Sequence, residues 1–142
     1  MNGYIELEHT ADIGLQVWGE DLPELFFQAA GGYYALALVH APRPGQNWQN
    51  FTLEEDNLED LLVAFLGELN YHLMVKSEYF YPLESIQILP IHSGYRMNYR
   101  GKRGLLEKSK NQIKMEIKAV TYHQLEIRKE NGHYSTKIIF DL

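Results

Sequence analysis

Cysteine is absent from the 142 residues, which excludes disulfide staples, thiolate metal sites and a cysteine nucleophile, and accords with a reducing compartment. Positive charge is in short supply: 13 lysines and arginines stand against 19 acids, a formal net charge of −6. A chain so balanced does not grip a phosphate backbone by bulk electrostatics, so any link to nucleic acid runs through a partner or a local patch. The local candidate is Arg96, Arg100, Lys102, Arg103, Lys108 and Lys110, whose plainest reading is a solvated loop. No apolar stretch approaches the roughly 18 residues of a membrane span. The opening Met-Asn-Gly-Tyr-Ile-Glu has no basic segment leading into an apolar run. The expectation is a soluble, cytoplasmic protein. Also missing are a P-loop, a GxGxxG turn, a GxSxG elbow and an HExxH pair, and His40, His72, His92, His123 and His133 fall at no metal-ligand spacing.

What is present is enough for one globular domain over residues 1–142, since 45% hydrophobic and 13% aromatic content supports a single substantial core. Ile5 and Leu7 alternate with Glu6 and Glu8, and Leu15 and Val17 with Gln16 and Trp18, the period of two short strands around Asp12. Asp21-Leu22-Pro23-Glu24 combines an N-cap, a first-turn proline and a capping-box acid, and predicts a helix running to about Val39. The two glycines within that pattern, Gly31 and Gly32, read as a close-packing spot, and Phe26, Phe27, Tyr33 and Tyr34 as core. A loop from His40 to Asn50 and a short strand at Phe51-Thr52-Leu53 follow. Asn57 then caps a second helix whose apolar face is Leu58, Leu61, Leu62, Phe65, Leu69 and Leu73. Beyond Tyr79 the period falls to two: Ser85–Leu89 and Tyr95–Tyr99 read as strands, Gly101–Asn111 as a loop, and Lys114–Arg128 and Tyr134–Leu142 as β runs joined by Asn131-Gly132. Blocks of helices and hairpins without βαβ alternation predict an α+β fold, a mostly antiparallel sheet with two helices packed on one face.

Chemistry concentrates at the two ends. The turn His9-Thr10-Ala11-Asp12-Ile13-Gly14 carries one acid, Asp141 is another, and Leu142 brings the α-carboxylate. Lys137-Ile138-Ile139-Phe140 runs apolar into Asp141, so this end is expected in a sheet rather than loose. If the ends meet, three negative groups crowd together, and they need protonation or a cation. Carboxylate oxygens suit Ca²⁺ or Mg²⁺, while His9 keeps a borderline metal open. Taken singly, Asp12 is an ordinary Asx-turn former. In Met115–Tyr122, Glu116 and Lys118 share one face of an expected strand, either as solvated decoration or, beside the acids, as groups that neutralise them and meet a phosphate.

These segments together resemble the archease family: His9–Leu15, Gly19-Glu20-Asp21-Leu22, Asn57–Val63, Glu116–His123 and Ile139–Leu142 appear from end to end in the family's order. The resemblance implies a small α+β protein that is not itself an enzyme. Its implied partner is an RtcB-type RNA ligase, which transfers GMP from GTP to its own histidine and joins RNA ends in tRNA splicing and repair. It further implies metal ligation by Asp12, Asp141 and the main chain of Leu142. Ca²⁺ is the first expectation for the ion, with Mg²⁺ or Mn²⁺ as alternatives, and Lys118 is the group that activates the partner. RNA would be reached only through the ligase, and an RNA helicase is a further partner of some members. Two other readings stand beside it. One is a metal-dependent phosphohydrolase acting alone, expected to need a deep pocket and further clustered ligands. The other is a modulator of RNA or protein folding without a metal, expected to bind RNA unaided.

Overall fold

Asp21 turns an extended chain into a helix: its carboxylate accepts the Glu24 N–H at 2.8 Å, and Pro23 lies in the first turn, where a missing N–H is harmless. The resulting helix, α1 (Leu22–Ala37), buries Leu25, Phe26, Ala29, Tyr33, Tyr34 and Leu36, while Phe27 is 42% exposed. It stops two residues before the expected end, and Leu38 instead bridges to Ile113. Asn57 repeats the device for α2 (Leu58–Lys76), accepting the Asp60 N–H at 2.8 Å. In this computed structural model, residues 2–8, 12–107 and 111–142 are described.

The strands are β1 (Gly3–Glu8), β2 (Asp12–Gly19), β3 (Asn47–Glu55), β4 (Glu78–Ile91), β5 (Gly94–Leu105), β6 (Ala119–Thr121), β7 (Arg128–Glu130) and β8 (His133–Asp141). Every pairing is antiparallel. The α+β class with two helices is therefore as expected, but the strands divide between two sheets. One is ordered β1-β2-β8-β6, with β7 also on β8, and the other β3-β5-β4. Each helix touches both: α1 lies on β1, β2 and β8 and reaches β4, and α2 lies on β3, β4 and β5 and reaches β6. The shared core combines Ile13, Leu15 and Val17 of β2, Ile138 and Phe140 of β8, and Met97 and Tyr99 of β5 with the buried faces of the helices.

Three further expectations are corrected, the first being the His40–Asn50 loop, whose last four residues open β3 because they pair with β5. Gly101–Leu105 belongs to β5, because these residues pair with β3 on one side and β4 on the other. Their polar character reflects a strand face turned to solvent. The Lys114–Arg128 run is mostly not strand: only Ala119–Thr121 and Arg128–Glu130 join a ladder. Upstream, the Lys114 N–H donates to the Ala37 carbonyl at 2.7 Å, so a helix end holds this segment.

Candidate functional site

Asp12 is the first residue of β2 and Asp141 the last of β8, and the two are direct cross-strand partners. Directly opposed residues of an antiparallel pair put their side chains on the same face, with Cβ atoms roughly 4.5–5.5 Å apart. Ile13 and Phe140, the next pair, are buried in the core, so parity turns the two carboxylates to the face away from the helices. On its other side Asp141 pairs with Ala119 of β6, and the Lys118 N–H donates to the Asp141 carbonyl at 2.9 Å. Register therefore brings Asp12, Asp141, Leu142 and the Lys118 main chain to one corner. Asp141, Leu142 and Lys118 are exposed.

Asp12 differs from its neighbours in one respect: its Oδ1 is buried and has no hydrogen-bond partner among the described residues. Leaving a buried acceptor unsatisfied costs about 1–3 kcal/mol, and more if it is charged. A hard cation relieves that cost, and carboxylate oxygens from two strands with a main-chain oxygen of the next residue form an all-oxygen donor set suited to one. Among the described residues no three His, Asp or Glu side chains gather into a metal-holding group, so such an ion would depend on the Asp pair and main-chain oxygen. His9 lies outside the described residues.

The placement of Lys118 has a buried cause that sequence reasoning missed. The Tyr33 hydroxyl donates to Asn70 Oδ1 at 2.6 Å, and Asn70 Nδ2 donates to the Ile117 carbonyl at 3.0 Å. Burial, with a smaller contribution from Tyr34, raises the Tyr33 hydroxyl well above its ordinary range, so it remains a donor at any working pH. The Ile117 side chain is itself buried. A residue without ladder partners is thus tied to α1 and α2 immediately before Lys118. The sole sequence signal was an Asn set among apolar residues of α2.

The basic patch has a different fate. Arg96 Nε donates to Glu54 at 2.6 Å, Arg100 pairs with Glu84 and Arg103 with Glu78, while Arg100 and Lys102 lie over the Trp48 ring at 4.0 and 5.2 Å. Arg96 and Arg100 pair with acids across the sheet, Arg103 pairs with the buried Glu78 toward α2, and Lys108 and Lys110 lie outside the described residues. Of the described histidines, His72 is tied up in structure, its Nδ1 lying 2.9 Å from Glu78.

A two-helix α+β protein with an acidic corner, built where β2 meets the last strand, β8, is the class that fold and site define. The Archease protein family model (MTH1598/TM1083) matches residues 4–142, and the chain belongs to that family. Archeases of Methanosarcina mazei and Thermococcus gammatolerans are each 30% identical to it, over 98% of this chain and 95% of the first protein and over the full length of both chains for the second. The solution structure of Methanobacterium thermoautotrophicum protein 1598 superposes with a TM-score of 0.81 at 25% identity, covering 99% of each chain. The crystal structure of a Thermotoga maritima archease, described as a possible chaperone, gives 0.64 at 20% identity over 96% of this chain and 94% of the other, which is a likeness of fold alone.

Proposed function

We propose that this archease is a non-catalytic accessory protein that activates a GTP-dependent RtcB-type RNA-splicing ligase, promoting its guanylylation and turnover in tRNA splicing and RNA repair. The observation that carries the reading is the pairing of Asp12 with Asp141 beside the Lys118 main chain, with a buried Asp12 carboxylate oxygen that has no partner among the described residues. Asp12, Asp141 and the Leu142 main chain would hold a divalent cation, Ca²⁺ first, which supplies positive charge where two carboxylates otherwise repel. Lys118, whose main chain is anchored through its own N–H and the neighbouring Ile117 carbonyl, is exposed beside that corner. Beside the ligase centre it orients the GTP phosphates, so that the ligase histidine meets the α-phosphorus in line as pyrophosphate leaves. The acidic body suits docking on a basic RNA-binding enzyme, and RNA is engaged only through it. No described helix is long and apolar enough to cross a membrane, and the cytoplasm, where tRNA processing proceeds, is part of the same reading.

A GTP-labelling assay of the cognate ligase tests it. The wild-type protein is expected to accelerate formation of the ligase–GMP adduct, and Asp141→Ala or Lys118→Ala to reduce that acceleration by about tenfold or more, roughly 1.4 kcal/mol of transition-state stabilisation. Full acceleration by both variants would remove the basis for the reading.

A further inference from the structure

Helix α2 has two apolar stripes, and its own fold uses one. Leu61, Leu62, Phe65, Leu66, Leu69 and Leu73 are buried in the core. The second stripe, Val63, Gly67, Tyr71, Met74 and Val75, faces the segment from Ile117 to Val120 across a cleft of about 340 Å³. That segment covers it incompletely, since Tyr71 is 49% and Val75 67% exposed. An amphipathic surface helix has no intrinsic need of apolar residues on its outer side.

Gly67 sharpens the point. Glycine inside a helix is disfavoured by backbone entropy, so it is kept where something must approach closely. At Gly32 of α1 the reason is internal: an added Cβ would lie 2.8 Å from Leu15 Cδ1. At Gly67 an added Cβ meets nothing within 4 Å, so the close approach it permits comes from outside the chain. The cleft's charge says what approaches. In a protein of net charge −6, Lys118 is the only charged residue lining it among the described residues, and Lys76 of the same helix lies over the Tyr71 ring at 5.6 Å.

We infer that this cleft is a docking site for the partner ligase, taking a bulky apolar side chain from the rim of the ligase centre over Gly67 while the anionic groups of that centre meet Lys118. The inference rests on the proposed activator role and adds the surface that secures it. Lys118 belongs to both features, so seating the anchor in the cleft also aims the ammonium.

The test measures binding to the cognate ligase, adduct formation and thermal melting for full-length Gly67→Leu and Tyr71→Ala. Gly67→Leu is expected to melt at or above the wild-type temperature, because it removes a helix glycine and its Cβ meets nothing within 4 Å, yet to raise the Kd for the ligase about tenfold or more. Tyr71→Ala is expected to weaken binding in the same direction. If both variants bind and activate as wild type while Lys118→Ala is inactive, the docking site is overturned and the activator role stands. A wild-type protein that neither binds nor activates the ligase overturns both. Binding of a single-stranded oligonucleotide alone, abolished by Gly67→Leu, would put nucleic acid in the cleft and overturn the protein occupant.

Discussion

A single orphaned oxygen, Asp12 Oδ1, distinguishes the acidic corner from surface carboxylates that water satisfies. Asp12→Asn removes the charge while keeping size, so in chelator-treated buffer the variant is expected to be as stable as wild type or more so. At the opposite extreme Asn70 is fully engaged, accepting from Tyr33 and donating to Ile117. Asn70→Ala strands two buried polar groups, and urea denaturation is expected to show a loss of about 1–3 kcal/mol. Activation of the ligase should fall as well, because the Ile117 carbonyl that anchors Lys118 is released. An Asn70→Ala protein with wild-type stability would mean that the relay holds nothing.

At the scale of elements, α2 is joined to the small sheet by an ionic knot: His72 of the helix, Glu78 at the start of β4 and Arg103 of β5. Burial pushes the Glu78 carboxyl up, but hydrogen bonds from His72 and Arg103, together with their charges, outweigh it and hold it below the ordinary value of 4.5. A carboxyl with a lowered folded value stabilises fully above its unfolded value, and that stability is lost as pH falls through the folded value. Acid titration is therefore expected to destabilise the protein progressively below about pH 4.5, and Glu78→Gln to flatten that slope. A slope unchanged in the variant would assign acid lability to other carboxylates. The helix starts follow simpler rules, and Asn57→Ala, which removes the acceptor for the Asp60 N–H, should lower stability by about 1 kcal/mol.

For the molecule as a whole, the acidic corner ties β2, near the start of the chain, to its last strand, so an ion held there is linked to global folding. Ca²⁺ is expected to raise the melting temperature of wild type, by the equivalent of about 2.7 kcal/mol at a hundredfold excess over its Kd, and to leave Asp12→Asn and Asp141→Ala unmoved. Equal shifts in wild type and variants would place the ion elsewhere. Net charge of −6 acts at longer range. Association with a basic ligase should slow as ionic strength rises through the range where the Debye length falls below about 10 Å.

Local chemistry was legible in the residues themselves. Asp21 and Asn57 cap helices because their short oxygens reach the N–H three positions on, and Asn131-Gly132 turns a hairpin because both residues adopt positive φ, 51° and 79°. The family pattern was equally visible, since motifs are strings, and Asp12, Asp141, Leu142 and Lys118 are the residues that the resemblance singles out. What pattern alone misassigned depended on partners distant in the chain. The His40–Asn50 loop proved shorter, because Asn47–Asn50 pair with Arg100–Arg103 of β5. Gly101–Leu105 became strand because two neighbours supply its hydrogen bonds, and the strands divided into two sheets because pairing is a long-range property that period two does not encode. The meeting of Asp12 with Asp141, the Tyr33–Asn70–Ile117 relay and the open cleft at Gly67 belong to tertiary structure alone: each joins residues whose separation along the chain carries no signal until register and packing bring them together.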